Sequence, residues 1–370
     1  MAATQSVRGD TRYAGRAMKI GNRTIGASER PYLIAEMSGN HNRSLDRALA
    51  IVDAAADSGA DAVKLQTYTA QTMTLDLHTP GFVIDDPASL WHGRQLWELY
   101  DEAHTPWDWH APLFARAAER GIHAFSSPFD ATAVDFLETL SAPAYKIASF
   151  ELVDLPLIER VAATGKPIIM STGMATVAEI GEAVAAALKG AATASDIVLL
   201  KCTSTYPATP ENSNLATLPT LRAAFGTAVG LSDHSMGCGV AVAAVAMGAC
   251  LIEKHFTLAR ADGGVDAAFS MEPNEFARLR EECDRAWQAM GQVIFGGVAA
   301  EAASVQFRRS LYIARDVRAG DILTPESLRA VRPGYGLPPK FLPQLLGQRV
   351  ARDAAAGTPA DWTLFVGGER

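Results

Sequence analysis

Eight short apolar runs recur along the chain, each closing on polar residues, with segments of helical periodicity between them. In order they are Tyr32–Glu36, Ala62–Gln66, His123–Ser127, Ala144–Ser149, Pro167–Thr172, Ile197–Thr203, Ala228–His234 and Leu251–His255. A strand covered by helices on both faces of a parallel sheet reads as continuous Val, Ile and Leu. Of the intervening segments, Ser44–Ser58 opens on an N-cap Ser and stops at Gly59, and Thr105–Arg120 opens on Thr-Pro and stops at Gly121. Thr176–Lys189 and Cys238–Met247 are Ala-rich and small enough to pack closely on a sheet. Strands alternating with helices of this length predict βαβ units with right-handed crossovers.

A doubly wound sheet shares that alternation but calls for an early Gly-rich phosphate loop, and Gly237-Cys-Gly239 lacks the third glycine. The pattern therefore predicts an α/β fold, a (β/α)8 TIM barrel. Its chemistry gathers at the C-terminal ends of the strands, where these runs carry their polar residues. One connection is anomalous. Tyr68–Thr105 separates the second run from its helix and carries Trp91, Trp97 and Tyr100. It reads equally well as a lid or substrate loop and as a loop packed by its own aromatics.

The last barrel helix runs from Glu272 to about Met290, and the composition then changes. Ala299–Phe307 resembles a short helix. The β-like pieces Ser310–Ala314, Ile322–Thr324, Leu328–Arg332 and Trp362–Val366 alternate with turns. The expected organisation is a disordered tail over 1–19, a catalytic barrel over 20–290, a linker over 291–307 and a small β-rich domain over 308–370.

Composition narrows the class. With 48% apolar and 20% charged residues in 370, the chain has an ordinary soluble core. A net charge of −8 argues against nucleic-acid binding. No apolar run approaches the roughly 20 residues that span a bilayer, and the polar N-terminus lacks a signal-peptide core. Cys202, Cys238, Cys250 and Cys283 form no CxxC pair, which fits reduced thiols in the cytoplasm.

Candidate chemistry sits at the run ends. His234 and His255 close consecutive strands, and two convergent neutral imidazoles suit Mn, Fe, Co or Zn with positions left open. Lys64 and Lys146 lie inside apolar runs, where a charge is costly without a partner; Lys201 shares that context less clearly. Around them stand hydroxyls at Ser126, Ser127, Ser149, Ser171, Thr172, Thr203, Ser204 and Ser232, outlining a pocket for a phosphate- and carboxylate-bearing anion. Glu36 and Glu151 are candidate acid/base groups. Asp233 reads as a support for His234 or a turn cap, and Cys202 as packing.

At these residues the chain resembles the sialic acid synthase family: IAEMSGNHN (34–42), KLQTYTAQTMTLD (64–76), SSPFD (126–130), YKIASFE (145–151), STGMAT (171–176), KCTSTYP (201–207), GLSDHS (230–235) and EKHFT (253–257). The segment 308–337 resembles that family's C-terminal antifreeze-like (SAF) domain. EMSGNHN, TYTAQTMTLD, KCTSTYP and GVDAAFS (264–270) look most like its pseudaminic acid branch, as does Ser204 where sialic acid synthases carry Asn.

The resemblance implies condensation of phosphoenolpyruvate with an open-chain 2,4-diacetamido-2,4,6-trideoxy-altrose, releasing phosphate. It implies a divalent metal on His234 and His255, Mn2+ or Mg2+ with Co2+ also admitted. Phosphoenolpyruvate falls to Lys64, Ser127, Lys146, Ser149, Ser171, Ser204 and Ser232. Gln66, Tyr206 and Asp266 fall to the N-acetylated amino sugar, and Glu36 to acid/base work with Glu151 second. It also implies that Arg332 reaches the sugar in a partner's barrel, in a domain-swapped homodimer. The rival expectations are a sialic or legionaminic acid synthase, a metal-dependent barrel aldolase and a carbohydrate-binding protein without catalysis.

Overall fold

All eight runs form strands, and the eight close on themselves as a parallel barrel. The computed structural model describes residues 18–190 and 192–366, which divide into two compact units after Gly291. The expected tail falls outside the described residues up to residue 17, and a strand already begins at Met18.

The first unit opens with an antiparallel hairpin of β1 (Met18–Ile20) and β2 (Arg23–Ile25). The barrel follows as β3 (Tyr32–Glu36), β4 (Ala62–Thr67), β5 (His123–Pro128), β6 (Tyr145–Ile147), β7 (Ile168–Ser171), β8 (Ile197–Cys202), β9 (Ala228–Ser232) and β10 (Leu251–His255). Pairing of β10 with β3, His255 opposite Glu36, closes the ring.

Alternate residues of each strand enter two different cores, as the two-residue period requires. Leu33, Val63, Met170 and Leu199 pack outward against helix residues such as Ile51, Leu113, Val134 and Ile180. Tyr32, Ile34, Ala62, Phe125, Ile169 and Leu251 pack against one another inside the ring. Met18, Ile20 and Ile25 of the hairpin join that inner cluster and plug its N-terminal end. Full burial of each such large side chain contributes about 1.5–3 kcal/mol. The inward file of a strand thus begins apolar and ends polar: Tyr32, Ile34, Glu36 on β3, and Leu251, Glu253, His255 on β10.

Helix boundaries follow local chemistry. The helix Leu45–Asp57 is capped by Ser44, whose Oγ accepts from Arg47 N at 3.2 Å. The helix Trp107–Glu119 starts later than the Thr-Pro signal suggests, because Pro106, not Thr105, takes the N-cap position. Its fixed φ and extended ψ hold it outside the helix. The helix Pro273–Met290 ends the barrel.

In the second unit, a 3-10 segment Ala299–Phe307 precedes an antiparallel pair, β11 (Ser310–Ile313) with β12 (Leu328–Val331). Leu311, Ile313, Leu328, Val350 and Leu364 form its own core. Ile322 makes a single bridge to Arg349, and Trp362–Leu364 is a 3-10 turn where the pattern suggested a strand. The turn is closed by Leu364 N donating to the Asp361 carbonyl at 3.1 Å, while the Asp361 carboxylate accepts from Thr363 Oγ1 at 2.5 Å. Among the described residues, no helix is long and apolar enough to cross a membrane.

Candidate active site

Where the barrel interior turns polar, charges arrive in pairs. Glu36 on β3 stands opposite Lys64 on β4, and Lys64 Nζ lies 2.6 Å from Glu36 Oε2. That contact is ionic, since Glu36 Oε2 makes no well-directed hydrogen bond. Glu36 Oε1 accepts from Gln66 Nε2 and Ser38 N, each at 3.1 Å. Across the ring, Glu253 Oε1 lies 3.6 Å from Lys64 and 3.5 Å from Lys146, and Ser232 Oγ donates to it at 3.3 Å. All four charged groups are buried.

Burial and charge then pull the carboxyls apart. Burial pushes Glu36 up to about 7, against the pull of Lys64. Burial also works against a charge on Glu253, but Lys146 and Lys64 outweigh it and hold that carboxyl below its ordinary value. Burial lowers Lys146 as well. Pairs of titratable groups driven apart in this way are characteristic of functional sites.

The hydroxyls complete a pocket on the lysine side. Ser127 Oγ accepts from Lys64 Nζ at 3.2 Å, and Ser149 and Ser204 hydroxyls lie 2.8 Å apart. Ser171 Oγ is buried without a hydrogen-bond partner. Gly173 keeps this corner open: a Cβ there would collide with Ser204 Oγ and approach Ser149 Cβ to 3.0 Å.

Above this layer lies a cavity of ≈ 320 Å³. One side carries Gln66, Ser149, Glu151, Tyr206, His255 and Asp266; the other comes largely from the insertion after β4. Trp91 ties the insertion down, donating from Nε1 to Val265 O at 3.0 Å. Glu151 sits on a short 3-10 turn, Glu151–Val153, with a buried Oε2 lacking a partner, and burial raises it to about 7. Asp266, hydrogen-bonded by the Ser38 hydroxyl, is raised by burial to about 6.

The His234 and His255 rings meet edge to face with centroids 5.3 Å apart. His234 Nδ1 lies 2.8 Å from the Thr203 carbonyl, which places the proton on Nδ1 and the lone pair on Nε2. His255 Nδ1 is buried without a hydrogen-bond partner, 3.8 Å from Asp266 Oδ2. Burial lowers both imidazoles and favours their neutral form. A neutral donor pair with one orphaned nitrogen and a carbonyl orienting the other ring fits a divalent cation. Among the described residues no group of three or more His, Cys, Asp or Glu is arranged to hold a metal.

The barrel thus gathers Glu36, Lys64, Gln66, Ser127, Lys146, Ser149, Glu151, Ser171, Ser204, Tyr206, Ser232, His234, His255 and Asp266 at one end. Arg332 belongs to the second unit, directly after β12, where it is exposed. Other candidates have local duties. Ser126 turns outward to Thr67 at 2.6 Å, the Thr172 hydroxyl donates to Leu200 O, and Lys201 Nζ donates to Cys202 O at 2.6 Å. Asp233 is a turn cap and the partner of Lys254 at 2.9 Å. The residue missed from the sequence is Glu253. Stepping back two residues from His255 would have placed it on the same inner face.

The NeuB family model matches residues 51–295 of this chain, and the SAF domain model matches residues 308–366. The chain is 42% identical over 338 residues to the pseudaminic acid synthase of Helicobacter pylori, covering 89% of this chain and 96% of that one. It is 40% identical over 340 residues to a pseudaminic acid synthase of Campylobacter jejuni, covering 92% and 97%. Among solved structures, the N-acetylneuraminic acid synthetase of Leptospira borgpetersenii superposes with a TM-score of 0.70 at 30% identity, covering 80% of this chain and 96% of that one.

Proposed function

The chain belongs to the NeuB family, and on that premise we propose that it is a transferase joining phosphoenolpyruvate to 2,4-diacetamido-2,4,6-trideoxy-β-L-altropyranose, giving pseudaminic acid and phosphate. The observation that carries the reading is the sharing of one barrel end by an anion pocket, Lys64 and Lys146 with their hydroxyls, and a cavity bearing His255, Glu151 and Asp266. The relatives named for pseudaminic acid support the choice of sugar.

In this mechanism Lys64, Lys146, Ser127, Ser149, Ser171, Ser204 and Ser232 bind the phosphate and carboxylate of the donor in a dry, preorganised pocket. Gln66, Tyr206 and Asp266 orient the open-chain sugar so that its aldehyde carbon faces carbon 3 of the enol phosphate. The C–C bond forms there, water adds to carbon 2, and the C–O bond to phosphate breaks. Glu36, poised near neutrality, moves the proton at the reacting oxygen; Glu151, whose unpaired oxygen sits at the cavity wall, is the second candidate. Lys64 and Lys146 then hold the departing phosphate. His234 and His255 would hold Mn2+, Mg2+ or Co2+, which when bound supplies Lewis-acid polarisation of the aldehyde.

Arg332 is assigned to the sugar in a domain-swapped homodimer. The exposed Val293, Ile294 and Phe295 after the last barrel helix support a second copy covering that segment. The buried free thiols of Cys202, Cys250 and Cys283 suit a cytoplasmic enzyme.

The test is direct: incubate the protein with phosphoenolpyruvate, Mn2+ and a panel of N-acetylated sugars, and measure phosphate release and product mass. The expected product has the mass of pseudaminic acid. Absence of phosphate release with every 2,4-diacetamido sugar would overturn the assignment.

A further inference from the structure

The cavity above the charged layer is two-faced. Its polar side accounts for the reacting end of a sugar, but the opposite wall has no part in that chemistry. Met73, Ile84, Trp91, Leu96, Leu99 and Tyr100 line that wall, and all six come from the insertion after β4. Leu99 is buried, while Met73, Ile84 and Leu96 are half-buried, leaving apolar surface at the cavity.

The wall is held in shape. Ile84 N donates to Arg94 O at 2.9 Å, and Gly93 N to Ile84 O at 2.7 Å. Gln95 Nε2 donates to Asp76 Oδ1 at 2.9 Å and to Leu77 O at 3.1 Å. With the Trp91 bond to Val265, these contacts make the insertion a fixed surface facing the site. A fully hydroxylated sugar end set against such a wall leaves its hydroxyls without partners, which is costly, whereas methyl groups gain from it.

The geometry points to the insertion as the specificity wall: Met73, Ile84 and Leu96 receive the methyl-bearing end of the sugar, its 6-deoxy carbon and acetamido methyl, and select against 6-hydroxylated sugars. This rests on the nonulosonate synthase reading above and goes beyond it by assigning discrimination to residues remote from the reacting atoms. A site of this size, ≈ 320 Å³, suits one small ligand seated by a few polar groups against an apolar surface.

The experiment compares wild type with Ile84→Asn and Leu96→Gln, two variants at separate points of the wall. Steady-state phosphate release is measured with 2,4-diacetamido-2,4,6-trideoxy sugars of altro and manno configuration, with their 6-hydroxylated counterparts, and with varied phosphoenolpyruvate. Expected is a fall of roughly tenfold or more in kcat/KM for the trideoxy sugars, with the 6-hydroxylated sugars unchanged or improved and KM for phosphoenolpyruvate unmoved. Equal loss on both sugar classes in both variants, or no loss on either, overturns the specificity wall. Wild type that uses 6-hydroxylated sugars as well as trideoxy ones also overturns it. Wild type that uses the manno but not the altro trideoxy sugar overturns the pseudaminic reading and leaves the wall standing. Phosphate release with no sugar at all sinks both.

Discussion

Glu36 and Lys64 stand opposite each other on neighbouring strands and form an ion pair of 2.6 Å where the barrel interior turns from apolar to polar. Substituting Glu36→Gln keeps the shape and removes the titrating proton. Lys64 retains Glu253 at 3.6 Å, so the fold survives. The expected result is a fall in kcat of about 10²–10⁴, the range for loss of a general acid or base, with circular dichroism unchanged. An unaltered kcat in the phosphate-release assay would remove Glu36 from the chemistry.

Glu151 predicts a particular pH dependence. Its carboxyl rises from an ordinary 4.5 to about 7 on burial. Between those values the folded state binds more protons than the unfolded one, so stability falls as pH rises through that window. Thermal midpoints measured from pH 4.5 to 7.5 should show this decline, and Glu151→Gln should lessen its slope while the shares of Glu36 and Asp266 remain. A variant whose slope matches wild type would mean the group titrates normally.

Lys146 and Glu253 are coupled by burial. Lys146→Met leaves Glu253 with Lys64 and the Ser232 hydroxyl and is expected to cost about 1–3 kcal/mol in urea unfolding, as removal of one partner of a buried polar group does. Lys146→Met with Glu253→Met should recover much of that stability without recovering phosphate release. If the double variant is no more stable than the single, the two charges do not depend on each other.

Chelation tests the histidine pair. Exhaustive EDTA treatment should abolish phosphate release and added Mn2+ should restore it, whereas His234→Ala should stay inactive at any metal concentration. Turnover that survives chelation would dismiss the metal role of His234 and His255.

Gly173 is a steric test of the anion pocket. Gly173→Ala drives a methyl into Ser204 Oγ and against Ser149. KM for phosphoenolpyruvate should rise by at least tenfold, about 1.4 kcal/mol, while KM for the sugar changes little. The reverse split would place the donor elsewhere.

How far the sequence could be read differed from residue to residue. All eight strands were legible because a strand buried on both faces must be apolar along its length, and the polar residues closing each run marked the active end. Lys64 stood out because a lysine within such a run demands a partner. Glu253 did not, because EKHF reads as a strand end with one notable residue, and the partner of a lysine on another strand is set by register around the ring. The same holds for Ser126 and Ser127: adjacent in sequence, they point to opposite faces, and Ser127 alone meets Lys64.

By itself the sequence determined the periodicities, and with them the strand order, the alternating helices and the residue types available for chemistry. Those depend on neighbours along the chain. Tertiary structure decided which charges meet, how far burial displaces each carboxyl, and that the insertion after β4 forms the second wall of the cavity. Those depend on closure of the ring and on desolvation, which arise where distant segments pack together and water leaves.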